Sequence, residues 1–280
     1  VRDQTEAFSA SAIAAFRNHP DFLRVVRQRA VESLAEYGDL DDDGRWQLSD
    51  LGRAALTGAA VILDGLGAVT ADQLIEAAAA RKICSRGRVL GYLDRAQRSG
   101  LIAIPAGESH WTTRPLLLTP RFMAPVAAYL QVQMRAVGRL APHLEHCAAA
   151  LADPEALRRF VAMTGLLTTS RPDVFYGQTP IGLFMDRDGG MRVLDQLIAR
   201  QPAGATRLME SVTVSNASLA RLAYVSPQHV KRLLADGVAT GALHRERRRL
   251  DFSERLSEDV ERHYAVLFEL LRATAEATRL

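Results

Sequence analysis

An internal repeat constrains this chain more than any other feature. Ser85-Arg-Gly-Arg-Val89-Leu-Gly-Tyr-Leu93-Asp-Arg-Ala-Gln-Arg-Ser-Gly100-Leu-Ile102 aligns without a gap onto Ser226-Pro-Gln-His-Val230-Lys-Arg-Leu-Leu234-Ala-Asp-Gly-Val-Ala-Thr-Gly241-Ala-Leu243. Self-similarity of this kind means one supersecondary unit used more than once. Each copy opens on a Ser able to cap a helix, places Val four residues on and Leu eight on, and reaches a Gly fifteen residues after the Ser. Such a Gly ends a helix in the left-handed conformation. Pro227 suits the first helical position of the second copy. Shorter helices are expected upstream, from Thr70 and from Ser218, and polar hairpins downstream, over 105–114 and 244–249. Each hairpin gives way to an apolar residue, a capping hydroxyl and a new helix, at Leu118-Thr119-Pro120 and Phe252-Ser253-Glu254.

Helix, tight turn, capped helix, Gly and a short apolar pair is the layout of a helix-turn-helix. Over about residues 67–128 and 214–270 the chain resembles winged helix-turn-helix regulators, in particular the MarR-like ones, whose wing is followed by a Thr- or Ser-capped helix. The resemblance implies a mainly α fold with small β-wings, in which tandem winged helix-turn-helix domains are joined by a helical region. It also implies a recognition helix in the major groove and a wing on the neighbouring backbone or minor groove. The expected division is an N-terminal helical segment (1–66), a first winged-helix domain (67–128), a helical linker (129–205) and a second winged-helix domain with a C-terminal helix (206–280). The N-terminal segment offers a degenerate third copy, since Gly38-Asp-Leu40, the acidic turn Asp41-Asp42-Asp43 and Trp46-Gln-Leu48-Ser49-Asp50 repeat the wing-then-cap order. Its acidic turn would repel phosphate.

Burial of Val230, Leu233 and Leu234 at helical spacing leaves Gln228, His229, Lys231 and Arg232 facing outward, after the cap Ser226. Gln and Arg can pair bidentately with adenine and guanine edges, and Lys or His can hold phosphate. Arg245, Arg247, Arg248 and Arg249 lie where the second wing is expected, and Arg-rich wings suit the electronegative minor groove. In the first copy Gly87 and Gly91 replace the two base-reading positions. Ser85, Arg86 and Arg88, with Arg81 and Lys82 just ahead of the helix, are therefore expected to grip phosphates more than to read bases. His110, Thr112 and Arg114 are its wing candidates. The competing reading of the second set is a polar helix face with no partner, and of the first a winged fold kept for packing.

Composition narrows the function classes. Hydrophobic residues make up 48% and charged residues 24%, with a net charge of +3, as in a globular protein. The sign is unevenly spread: residues 81–100 carry a local +5 and residues 31–50 a local −6. No window approaches the roughly 18 apolar residues of a membrane span. The first residues lack a secretory layout, and Cys84 and Cys147 form no disulfide framework, so the expected place is the cytoplasm. No phosphate loop, nucleophile elbow or metal-protease helix is present, and the expectation is a non-enzyme with no cofactor and no metal. His143, His146 and Cys147 stand at one-face helical spacing and are the candidate set weighed against that expectation. Phe160, Met163, Phe175, Tyr176, Phe184, Met185 and Met191 are candidates to line an effector pocket. The expected partners are double-stranded DNA and a small-molecule effector, with no membrane, the protein being a monomer that imitates a dimer or a homodimer. Two other readings stand beside DNA-binding regulation: a winged-helix protein-interaction scaffold and a plasmid-type replication initiator.

Overall fold

The computed structural model describes residues 9–170, 180–202 and 204–280. Among these the chain is mainly helical, with two small antiparallel sheets. The helices are α1 (Ala10–Arg17), α2 (Phe22–Asp39), α3 (Asp42–Gln47), α4 (Leu51–Gly65), α5 (Ala71–Ala80), α6 (Arg86–Arg98), α7 (Pro120–Leu140), α8 (Cys147–Ala150), α9 (Pro154–Ser170), α10 (Gly182–Met185), α11 (Gly190–Ala199), α12 (Asn216–Ala223), α13 (Pro227–Ala239) and α14 (Glu254–Thr278). Strands β1 (Ile102–Ala103) and β2 (Leu117–Leu118) pair with each other. β3 (Ser211–Thr213), β4 (Leu243–Glu246) and β5 (Arg249–Phe252) form the second sheet in the order β3-β5-β4.

The repeat folds as its residues require. The Ser85 hydroxyl accepts from Arg88 N and the Ser226 hydroxyl from His229 N, starting α6 and α13 alike. Gly100 and Gly241 close them at φ +68° and +71°, where a Cβ would be strained. Val89 and Leu93 in the first copy and Val230 and Leu234 in the second are at most 3% exposed. The preceding helices differ in how they start. Thr70 forms a reciprocal capping box with Gln73, whereas α12 is capped by Ser215, three residues before the expected Ser218. The strands that follow are Ile102↔Leu118 with Ala103↔Leu117, and Leu243↔Phe252 through Glu246↔Arg249.

Elsewhere the structure departs from the sequence reading. No strand forms between residues 38 and 53: Asp41 caps α3 by accepting from Gly44 N, and Asp50, not Ser49, caps α4 by accepting from Arg53 N. Three successive acids favour a helix start, where their charge meets the helix dipole, so no wing is built there. One helix, α7, runs through the expected boundary between 128 and 129. The N-terminal helices also form no separate unit, since α2 packs on α7 and α11, and α1 packs on α14.

These helices make a central body with α4 and α9. The buried stripe of α2 is Phe22, Val25, Val26, Arg29, Ala30, Ser33 and Tyr37, while Val31 is 54% exposed. Apolar periodicity alone places Val31 inside; Arg29 takes an inward position instead because a network on neighbouring helices satisfies it. Its guanidinium donates to Asp195 Oδ1 (2.5 Å), Gln133 Oε1 (2.9 Å) and the Tyr264 hydroxyl (2.9 Å). Four helices are thereby pinned by one buried cation.

Candidate nucleic-acid interface

Three of the expected second-copy residues stand free on the surface of α13. Gln228, Lys231 and Arg232 are exposed, and among the described residues none makes a side-chain hydrogen bond or ion pair. Gln228 and Arg232, four residues apart, share one face of the helix. His229 differs: it is half-buried, and its Nε2 is enclosed without a partner. Its ring leans toward the protein, which removes that nitrogen from any phosphate. Ser226 serves α13 as its cap.

The second hairpin turns tightly between β4 and β5, with only Arg247 and Arg248 between the last paired residues, Glu246 and Arg249. Arg247 takes φ +52° to make that turn. Its carbonyl accepts from Arg245 Nε at 3.2 Å, and the Arg248 carbonyl accepts from Val214 N at 2.9 Å, so β3 braces the hairpin. Arg249 Nε donates to Asp251 at 2.8 Å, a contact that raises the pKa of the guanidinium. The four arginines thus divide into two whose side chains shape the hairpin, Arg245 and Arg249, and two exposed at its tip, Arg247 and Arg248, whose side chains meet no partner among the described residues.

The first copy presents less. Arg86 is exposed and unpartnered among the described residues, but Arg88 Nη2 lies 3.1 Å from both oxygens of Asp50, the buried cap of α4. Arg88 is therefore engaged within the protein. The expected polar hairpin over 105–114 is a loop between two two-residue strands and contains a 3-10 turn at Trp111–Thr113. Thr112, expected on the wing, is 5% exposed, and its hydroxyl donates to Asp72 at 3.0 Å, fastening the loop to α5. His110 Nδ1 lies 2.9 Å from that same hydroxyl, and Arg114 Nε donates to the Ser109 carbonyl at 2.7 Å. These three side chains fold the loop onto itself. Trp111, 37% exposed beside His110, is the large side chain the loop shows to solvent.

The acidic turn explains part of this. Asp41 and Asp43 both bind Arg121 (2.7 and 2.9 Å), Asp43 accepts from Ser99 (2.9 Å), and Arg95 lies over the Trp46 ring, itself stacked on Tyr92. The backbone N–H of Gly44, followed by Arg121, holds the Asp41 carboxyl below its ordinary pKa. The local −6 and +5 segments therefore meet each other. Asp50 is missed by sequence reasoning because a capping residue gives no hint of a partner 38 positions away. Arg187, which pairs with Asp236 of α13 at 2.6 Å, is missed for the same reason.

The other candidate sites fall out differently. His143 pairs with Glu276 at 3.4 Å, and Cys147 lies at the start of a separate short helix, 3.9 Å from His146 Nε2. Among the described residues no three His, Cys, Asp or Glu side chains gather as metal ligands. Phe160 and Phe184 are core residues at 0% exposure, and Met163 is half-buried. Met185 and Met191 line a cavity of about 260 Å³ among the central helices. Phe175 and Tyr176 lie outside the described residues. No described helix is long and apolar enough to cross a membrane. No family model matches the chain, and neither a curated protein nor a solved structure matches it.

Proposed function

We propose that the chain is a sequence-specific, double-stranded-DNA-binding regulator of transcription, with two unequal winged helix-turn-helix units resembling those of MarR-like proteins. The observation that carries the reading is the polar face of α13, with Gln228, Lys231 and Arg232 exposed beside one another and without partners among the described residues, in the same helix-helix-hairpin segment as the exposed tip arginines Arg247 and Arg248. A helix with bidentate-capable side chains on one face suits the major groove, and a basic tip suits the backbone or minor groove alongside. The first unit grips rather than reads: it has Arg86, Arg81 and Lys82 on its surface, but its Arg88 belongs to Asp50. Two linked units raise each other's effective concentration, so a weak grip still contributes. Unequal units imply unequal half-sites.

The test is selection of bound sequences from random duplex DNA by the purified chain, followed by affinity measured against salt. The expected result is an enriched motif whose information lies mostly under one half-site, with affinity falling steeply as salt rises. Failure to bind any duplex at low salt overturns the reading and favours a protein-interaction role for the same segments.

A further inference from the structure

The cavity of about 260 Å³ lies among α2, α4, α7, α9, α11 and α14. Its volume is just below the roughly 300–1,000 Å³ of typical small-molecule sites, room for a ligand on the order of ten non-hydrogen atoms. Most of the wall is apolar, and Met185 and Met191 give it an adaptable side. Leu51 lines it and is 43% exposed, so the cavity reaches solvent there.

Its charges do not balance. Arg29 and Arg192 both line it, both are at least 94% buried, and both lean on the same carboxylate, Asp195, at 2.5 and 3.3 Å. Neither has a second carboxylate partner among the described residues, and Arg192 Nε is enclosed without an acceptor. A third lining charge, Asp50, is already held by Arg88 and Arg53. One buried positive charge is thus left over, a costly arrangement unless an anion completes it. Two further polar groups on the wall, the Tyr129 hydroxyl and the His263 imidazole, make no hydrogen bond to any described residue.

The wall also touches both HTH segments. Asp50 holds Arg88 at the start of α6. The carbonyl of its neighbour Ser49 accepts from Gly189 N at 2.7 Å, and a Cβ on Gly189 would meet Val225 Cγ1 at 2.7 Å and the Ala223 carbonyl at 2.9 Å, in the turn that leads into α13. Met191 and Arg192 follow two and three residues later. A ligand that spreads or draws in this wall therefore moves groups against which both helices rest.

We propose that the cavity binds a small apolar monocarboxylate and that its occupancy adjusts α6 and α13 together. The binding stands on the cavity alone, whereas its consequence for DNA rests on the function proposed above. Octanoate is the probe, with octanamide and octan-1-ol as uncharged counterparts, titrated calorimetrically into the full chain without DNA. Octanoate should saturate one site at least about tenfold more tightly than either counterpart, because a charged acceptor bonds guanidinium more strongly. Gly58→Leu should abolish this binding while the protein stays folded by circular dichroism, since Gly58 lines the cavity and a Cβ there meets nothing within 4 Å. Ala54→Leu, on the same wall, is the second filling variant. Unsaturable octanoate binding, equal affinity for the amide and alcohol, or undiminished binding to both folded filling variants overturns the site. Coupling is read by hydrogen exchange, again without DNA. Octanoate should change protection over both 85–92 and 223–232, and Asp50→Asn should bind octanoate yet lose the change over 85–92. No change in either segment overturns the coupling. Loss of DNA binding with these exchange effects intact would instead count against the proposed function alone.

Discussion

Gln228 and Arg232 differ from Arg88 in one respect that decides what each can do: among the described residues they have no partner, and Arg88 has one on each oxygen of Asp50. A base contact discriminates between sequences, and an arginine already in an ion pair must first leave it. Gln228→Ala and Arg232→Ala are each expected to cost roughly 1–3 kcal/mol on the preferred duplex and much less on random duplex, with the melting temperature nearly unmoved. Leu234→Ala, at a site 0% exposed, should instead cost about 2–5 kcal/mol of stability. Competition assays against random DNA, alongside denaturant unfolding, separate the two kinds of effect. Equal weakening on both duplexes would remove α13 from the reading role. The outward set on α13 is legible from spacing, because three buried apolar residues fix which side of a helix is left. The inward turn of His229 and the burial of Thr112 are not legible, since each depends on contacts outside its own element.

At the scale of elements, local chemistry carries far. Ser85, Thr119, Ser226 and Ser253 all cap the helices expected of them, because an N-cap needs only a hydroxyl and the three residues after it. The expected hairpins are less legible. β4 and β5 form a true hairpin, but the first copy's strands are two residues each and its loop is held by Thr112 and Arg114. The second hairpin carries its own test. Replacing Arg247 and Arg248 by Ala should lower the slope of log affinity against log salt by about 0.9 for each phosphate that is no longer neutralised. Arg247→Gly adds a distinction, because Gly relieves the φ +52° turn at the cost of backbone entropy, for a net gain of about 0.5 kcal/mol in stability. That variant should be at least as stable as wild type in urea and still show the smaller salt slope. A slope unchanged in both variants would mean the tip meets no phosphate.

The whole molecule is organised by the buried polar group at its centre, the feature least visible in the sequence, since Arg29, Asp195 and Tyr264 lie far apart in the chain and read individually as surface residues. Breaking that group by Asp195→Ala should destabilise by about 3–5 kcal/mol, because two guanidiniums would be left without their carboxylate. A loss of unfolding free energy in urea titrations of less than half that would show that the charges are satisfied elsewhere. His263 sits against the same group, and its imidazole is pushed down to a pKa of about 4, mainly by burial and secondarily by Arg29, with Asp259 and Asp195 pulling weakly the other way. An unfolded His titrates near 6.5. Between these two values the unfolded chain binds the proton and the folded chain does not, so stability increases with pH across that window. The contribution is complete above about pH 6.5 and is lost as the pH falls to about 4, amounting to at most about 3 kcal/mol. His263→Gln carries no such proton, and its stability should decline less than that of wild type over the same range in urea titrations at fixed pH. Parallel curves for the two proteins would place the acid sensitivity in the surface carboxylates instead.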